Sequence, residues 1–238
     1  MMEAIGYGCY RGTYGETATF GESRNDFLLS TMMSSTMPTP TWEMAAIYCG
    51  IAAYELAIDP ARPLQTKVLP GALPPAKADR FGWTERNNLL KSGIATYQIQ
   101  PGNVVAIERE VSMYQRNSYG DPDPSYLDIT SPATLGRMRY DIKVMVSNRF
   151  PRHKLADDDV LPLLDPAQPV VTPKLMYEAI LEVALGWVER GLMENFDLFK
   201  ETLEVYRDTA DRNRLNCVCH PDVVNQLRVF AALIQFKL

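Results

Sequence analysis

The clearest pattern of apolar and polar positions lies at the carboxyl end. From Phe230 one parity reads Phe230, Ala232, Ile234, Phe236 and Leu238, all apolar. The other reads Ala231, Leu233, Gln235 and Lys237 and turns polar toward the end. Alternation with period two predicts a strand with one buried face. Terminal residues usually fray unless something ties them down. This strand therefore closes a local sheet or joins the sheet of another subunit by strand addition.

Upstream, the pattern predicts an α+β chain of mixed sheets flanked by helices. The glycine-rich, aromatic Gly6-Tyr-Gly-Cys-Tyr-Arg-Gly-Thr-Tyr-Gly15 reads as a surface loop of a domain entered midway. It lacks the lysine of a phosphate-binding loop and the preceding strand of a dinucleotide fingerprint. Asp26–Met33 reads as a short buried strand. Thr39 is placed to cap a helix with Pro40 at its first position, where the missing N–H costs nothing. That helix, Trp42 to Leu56, is apolar nearly all round, which predicts packing on both sides. Five prolines between Pro60 and Pro75 break any periodicity and suggest a domain boundary or a rigid crossover. The expected division is 1–75, the remainder of an upstream domain, and 76–238, a C-terminal domain.

Beyond the prolines, Trp83–Lys91 predicts a short helix capped near Thr84 and stopped by Gly93. Ile94–Gln100 and Asn103–Glu108 predict a hairpin whose Pro101-Gly102 fits a type II turn, where the second position needs φ > 0. Arg116–Asp128 is a loop. Ser131-Pro132 opens a helix with Leu135, Met138, Ile142 and Met145 on one face, running to Phe150. Thr172-Pro173 opens another, with Met176, Ile180, Val183/Ala184 and Trp187 inward and Gly191 at its end. A shorter helix over 194–202 and paired strands at Leu203–Asp208 and Leu215–Cys219 follow.

Composition adds little chemistry. Hydrophobic content of 46% and charged content of 22% over 238 residues suit a globular protein with a sizeable core. A net charge of -5 and the lack of any Lys/Arg-rich run argue against a nucleic-acid surface. Met1-Met-Glu-Ala does not open a signal peptide, and no apolar run reaches the length of a membrane span. Cys9, Cys49, Cys217 and Cys219 read as reduced thiols. Cys217-Val-Cys219-His220 has metal-ligand residue types but no second pair, so packing on one strand face explains it. A metal- or thiol-dependent enzyme using these three residues is the alternative function. Asp157-Asp158-Asp159 and the acids Asp121, Asp123 and Asp128 lack EF-hand spacing and read as solvated turns. No catalytic, cofactor-binding or metal residues are assigned.

Three stretches carry a resemblance. They are Trp83-Thr-Glu-Arg-Asn-Asn-Leu-Leu-Lys-Ser-Gly-Ile-Ala-Thr96; Ile107-Glu-Arg-Glu-Val111 with Tyr114–Gly120 and Ser125–Asp128; and Leu135-Gly-Arg-Met-Arg-Tyr140 through Phe150-Pro-Arg-His-Lys-Leu-Ala156. Together with Val224-Asn-Gln-Leu-Arg228 they resemble the C-terminal half of contractile-tail sheath proteins, especially those of Mu-like phages. The resemblance implies a virion structural protein and not an enzyme. It implies other sheath subunits as partners, in six-membered rings stacked helically, with the tail tube protein, baseplate and tail terminator. Such a sheath assembles in the host cytoplasm and contracts to drive the tube through the host envelope. The 76–238 domain would lie inward, facing the tube. Terminal arms in the family join neighbouring sheets, so Leu227, Val229, Phe230, Ala232, Ile234, Phe236 and Leu238 would belong to a donated strand. The upstream half of the family pattern, with its N-terminal arm, has no counterpart here.

Overall fold

A computed structural model describes residues 4–163, 165 and 167–235. Its first half is built on a four-stranded sheet of order β1-β2-β3-β4. The strands are β1 Gly6–Tyr10, β2 Leu29–Met33, β3 Ile94–Gln100 and β4 Val104–Arg109. β1, β2 and β3 run parallel, and β4 returns antiparallel to β3. Parallel neighbours need a crossover. α1 (Tyr14–Glu22) supplies the first; α2 (Thr41–Ile58) and α3 (Trp83–Lys91) lie in the second.

The glycine-rich start is thus an edge strand and not a loop. Alternation sets its faces: Tyr7 meets Tyr48 of α2 edge-on at 4.9 Å, while Tyr10 stacks on Phe20 of α1 at 4.2 Å. Gly8 lets the neighbouring strand sit close, since a Cβ there would stand 3.2 Å from Thr31 Oγ1. The helix that follows is announced by Thr13-Tyr-Gly-Glu16, a reciprocal cap in which Glu16 Oε2 accepts from the Thr13 N–H at 2.8 Å.

α2 forms as expected but packs on one side only. Met44, Tyr48 and Ala52 are buried, whereas Trp42, Tyr54 and Ile58 stand in the open. Thr39 does not cap it; its hydroxyl accepts from the Leu73 N–H at 2.7 Å. The proline stretch is not a spacer between bodies. It lies along the outer edge of β4, where Thr66 and Leu69 N–H groups donate to Ile107 and Val105 carbonyls at 2.8 and 2.9 Å. Prolines around such a segment blunt the sheet edge.

The hairpin turns at Pro101-Gly102, with Gly102 at φ +81°. α3 is capped by Gly82 rather than Thr84, the Gly82 N–H donating to Glu85 Oε2 at 2.6 Å.

The second half has its own core. α4 (Thr130–Arg149), α5 (Pro173–Glu189) and α6 (Phe196–Thr202) surround Met138, Ile180, Ala184, Trp187 and Phe199. Thr172 caps α5 through the Leu175 N–H at 3.4 Å, as expected from Thr-Pro. Ser131 and Pro132 sit inside the first turn of α4, whose N-cap position is Ile129. β8 (Glu204–Arg207) pairs antiparallel with β9 (Leu215–Val218). Two-residue pairs complete this half: β5 (Lys154–Leu155) with β6 (Val170–Val171), and β7 (Met193–Glu194) with β10 (Asp222–Val223). The two buried clusters part between Met113 and Met138, and β3 and β4 belong to the first.

Candidate functional site

The site of interest is where the C-terminal arm leaves the body. The second core holds the chain up to Val224: β10 pairs with β7, and the Val224 N–H donates to Leu192 O at 3.2 Å. Asn195 Nδ2 donates to Asp222 Oδ2 at 2.5 Å and steadies the same strand. Gln226 then reaches two other segments, its Nε2 donating to Ala61 O at 3.2 Å and to Thr130 Oγ1. These residues line a cleft with Tyr126, Asp128 and Thr134.

Arg228 makes the deepest contact. Its Nη2 donates to Glu110 Oε1 at 2.6 Å and to Asp128 Oδ1 at 3.1 Å, and its Nη1 to Glu110 Oε2 at 3.4 Å. Glu110 follows β4 and has a side chain 0% exposed; that of Arg228 is 12% exposed. The Leu64 N–H donates to Glu110 Oε1 at 3.1 Å, and Arg109 pairs with Asp128 at 3.2 Å. Charges therefore alternate along Arg109, Asp128, Arg228 and Glu110. A buried carboxylate is tolerable only with such partners, and removing one leaves an uncompensated charge.

Past this clamp the side chains have no cover. Val229, Phe230, Leu233 and Ile234 are 81–92% exposed, Ala232 is exposed too, and so is Leu227 just before the clamp. Among the described residues, 224–235 pair with no strand. Of the expected strand, Phe236 and Leu238 lie outside the described residues. Sequence reasoning missed the clamp because Glu110 and Arg228 are 118 positions apart, and neither breaks a local pattern.

The other candidates remain separate. Interaction between the neighbouring thiols lowers Cys219 to about 7 and pushes Cys217 up. His220 is exposed. Among the described residues no group of three or more His, Cys, Asp or Glu side chains could hold a metal ion. Asp123 accepts from Tyr114, and Asp157 pairs with Arg207 and Arg212.

Solved structures place the fold. The chain matches the sheath complex of an extracellular contractile injection system in its contracted state at a TM-score of 0.65 and 10% identity, covering 96% of this chain and 63% of that one. It matches a structure described as the anti-feeding prophage baseplate at 0.58 and 10%, covering 97% and 60%. It matches a sheath tail protein of Desulfitobacterium hafniense at 0.55 and 12%, covering 91% and 48%. The α+β fold is that of contractile-system sheath proteins.

Sequence profiles make the assignment specific. Residues 1–113 match the phage tail sheath protein central domain and 121–237 the phage tail sheath C-terminal domain. The whole chain is 40% identical to the Mu-like prophage FluMu tail sheath protein of Haemophilus influenzae, spanning 48% of that relative's length. The chain belongs to the phage tail sheath family.

Proposed function

We propose that this chain is a structural subunit of a contractile tail sheath, polymerising as a helical tube around a tail tube and contracting to drive it through a host envelope. Its partners are further copies, in six-membered rings stacked helically, together with the tube protein, baseplate and tail terminator. It works in the virion tail after assembly in the host cytoplasm. The observation that carries the reading is the arm. An apolar, alternating segment anchored at its root and uncovered beyond it has its burial elsewhere, because contiguous exposed apolar surface marks an interaction site. Strand addition to a neighbouring subunit would satisfy both its backbone and its apolar face. The contact is head-to-tail, and such contacts build open helices when the rotation does not close. The second core with its arm is taken as the tube-facing part.

The test is negative-stain electron microscopy of this chain produced together with the part of the Haemophilus relative that it does not span. Striated hollow tubes of uniform diameter are expected, and deletion of Val229–Leu238 should leave the chain folded but dispersed. Dispersed particles from the intact pair would count against the mechanical role. Loss of cooperative folding on deletion would make the segment a core element.

A further inference from the structure

We infer that Glu110 and Arg228 aim the C-terminal arm, fixing its exit to the first core although the arm continues the second in sequence. The inference rests on the reading that the arm engages a neighbouring subunit. Residues 222–224 belong to the second core through β7 and Leu192. Four residues later the chain is held by Glu110, whose carboxylate is fully buried and also accepts from Leu64 beside the β4 edge. Residues 225–228 are therefore a strap across the two cores.

The chemistry of the strap sets direction as well as attachment. A guanidinium is a planar fork, and pairing both of its ends with one carboxylate fixes its orientation. Asp128, itself paired with Arg109, braces the same Nη2 from a second side. Beyond Arg228 the side chains from Val229 to Ile234 are uncovered, so the pivot of the arm falls at residue 228. In a rearrangement that moves one core against the other, the arm travels with the sheet of the first.

Trypsin reads the clamp directly, because a protease must draw an arginine side chain into its own pocket to cut after it. Arg212, with a side chain 74% exposed, is the internal reference. In the intact 238-residue chain, cutting after Arg212 should precede cutting after Arg228. Glu110→Gln should raise cutting after Arg228, relative to Arg212, by at least about tenfold, as expected on losing one charge-assisted pair. Equal relative rates in the parent and Glu110→Gln, with matching melting curves, would overturn the clamp. If Glu110→Gln unfolds, Arg228→Lys carries the test: it keeps the charge and a trypsin site, loses the fork, and should also be cut faster.

The tube assay then separates aiming from donation. The double variant Glu110→Gln/Arg228→Gln, which removes the buried charge together with its partner, should stay folded yet lose tubes, and Arg228→Lys alone should keep part of them. If deletion of Val229–Leu238 leaves association intact, the donated-arm reading fails whatever trypsin shows. If deletion abolishes tubes while the folded double variant Glu110→Gln/Arg228→Gln assembles like the parent, the aiming inference fails alone.

Discussion

Gly21 is the position at which α1 lies against the turn between α3 and β3, and an added methyl group there has a sign that can be worked out. A Cβ at Gly21 would stand 2.1 Å from the Ser92 carbonyl oxygen and 2.9 Å from Ile94 Cγ1. Ordinary C···O contacts begin near about 3.3 Å, so the overlap is about 1 Å and falls on backbone that cannot swing aside. Replacing glycine by alanine inside a helix gains at most about 1 kcal/mol, and less in a last turn. Overpacking typically costs about 1–3 kcal/mol, toward the upper end when backbone must shift. The clash wins, and Gly21→Ala should destabilise the chain by about 1–2 kcal/mol net. Gly50 is the matched control. It lies mid-helix in α2, is exposed, and a Cβ there meets nothing within 4 Å. Only the helix term remains, so Gly50→Ala should stabilise by about 0.5–1 kcal/mol. Urea unfolding followed by circular dichroism and by tryptophan fluorescence supplies the midpoints, and coincident transitions license the free energies. A Gly21→Ala chain as stable as the parent would refute the packing of α1 on the α3–β3 turn.

Two further outcomes are expected. Thr172→Ala removes the side-chain oxygen that caps α5 and should cost about 1 kcal/mol, read as a lower urea midpoint with the slope unchanged. Cys219 should react with iodoacetamide at a rate that rises with pH through about 7, because interaction with the Cys217 thiol favours its thiolate. Cys217→Ala removes that interaction and should move the inflection upward; an inflection that stays put would show that the two thiols do not influence each other.

Local chemistry decided how much could be read from sequence. α5 was legible because Met176, Ile180, Ala184 and Trp187 keep helical spacing behind a Thr-Pro start, and the hairpin because Pro101-Gly102 specifies its turn. β1 was not, because Gly6 and Gly8 occupy positions where a strand normally shows side chains, leaving only Tyr7, Cys9 and Tyr10 to signal alternation. α2 misled through composition: small and aromatic residues around the whole helix do not say which face finds a partner. The resemblance to tail sheath proteins was carried by long stretches spread over the chain and held. The clamp at Arg228 and Glu110 joins residues whose neighbourhoods give no hint of one another, so only the assembled fold reveals it.

The segment laid along β4 has a consequence for what the protein cannot become. Amyloid-like stacking requires each sheet to offer two unpaired sides, one to receive and one to pass on. With Thr66 to Leu69 occupying the β4 side, the four-stranded sheet offers only the β1 side among the described residues. Edge-to-edge pairing through this sheet ends at two copies, however concentrated the subunit becomes, and an ordered polymer must grow through other contacts.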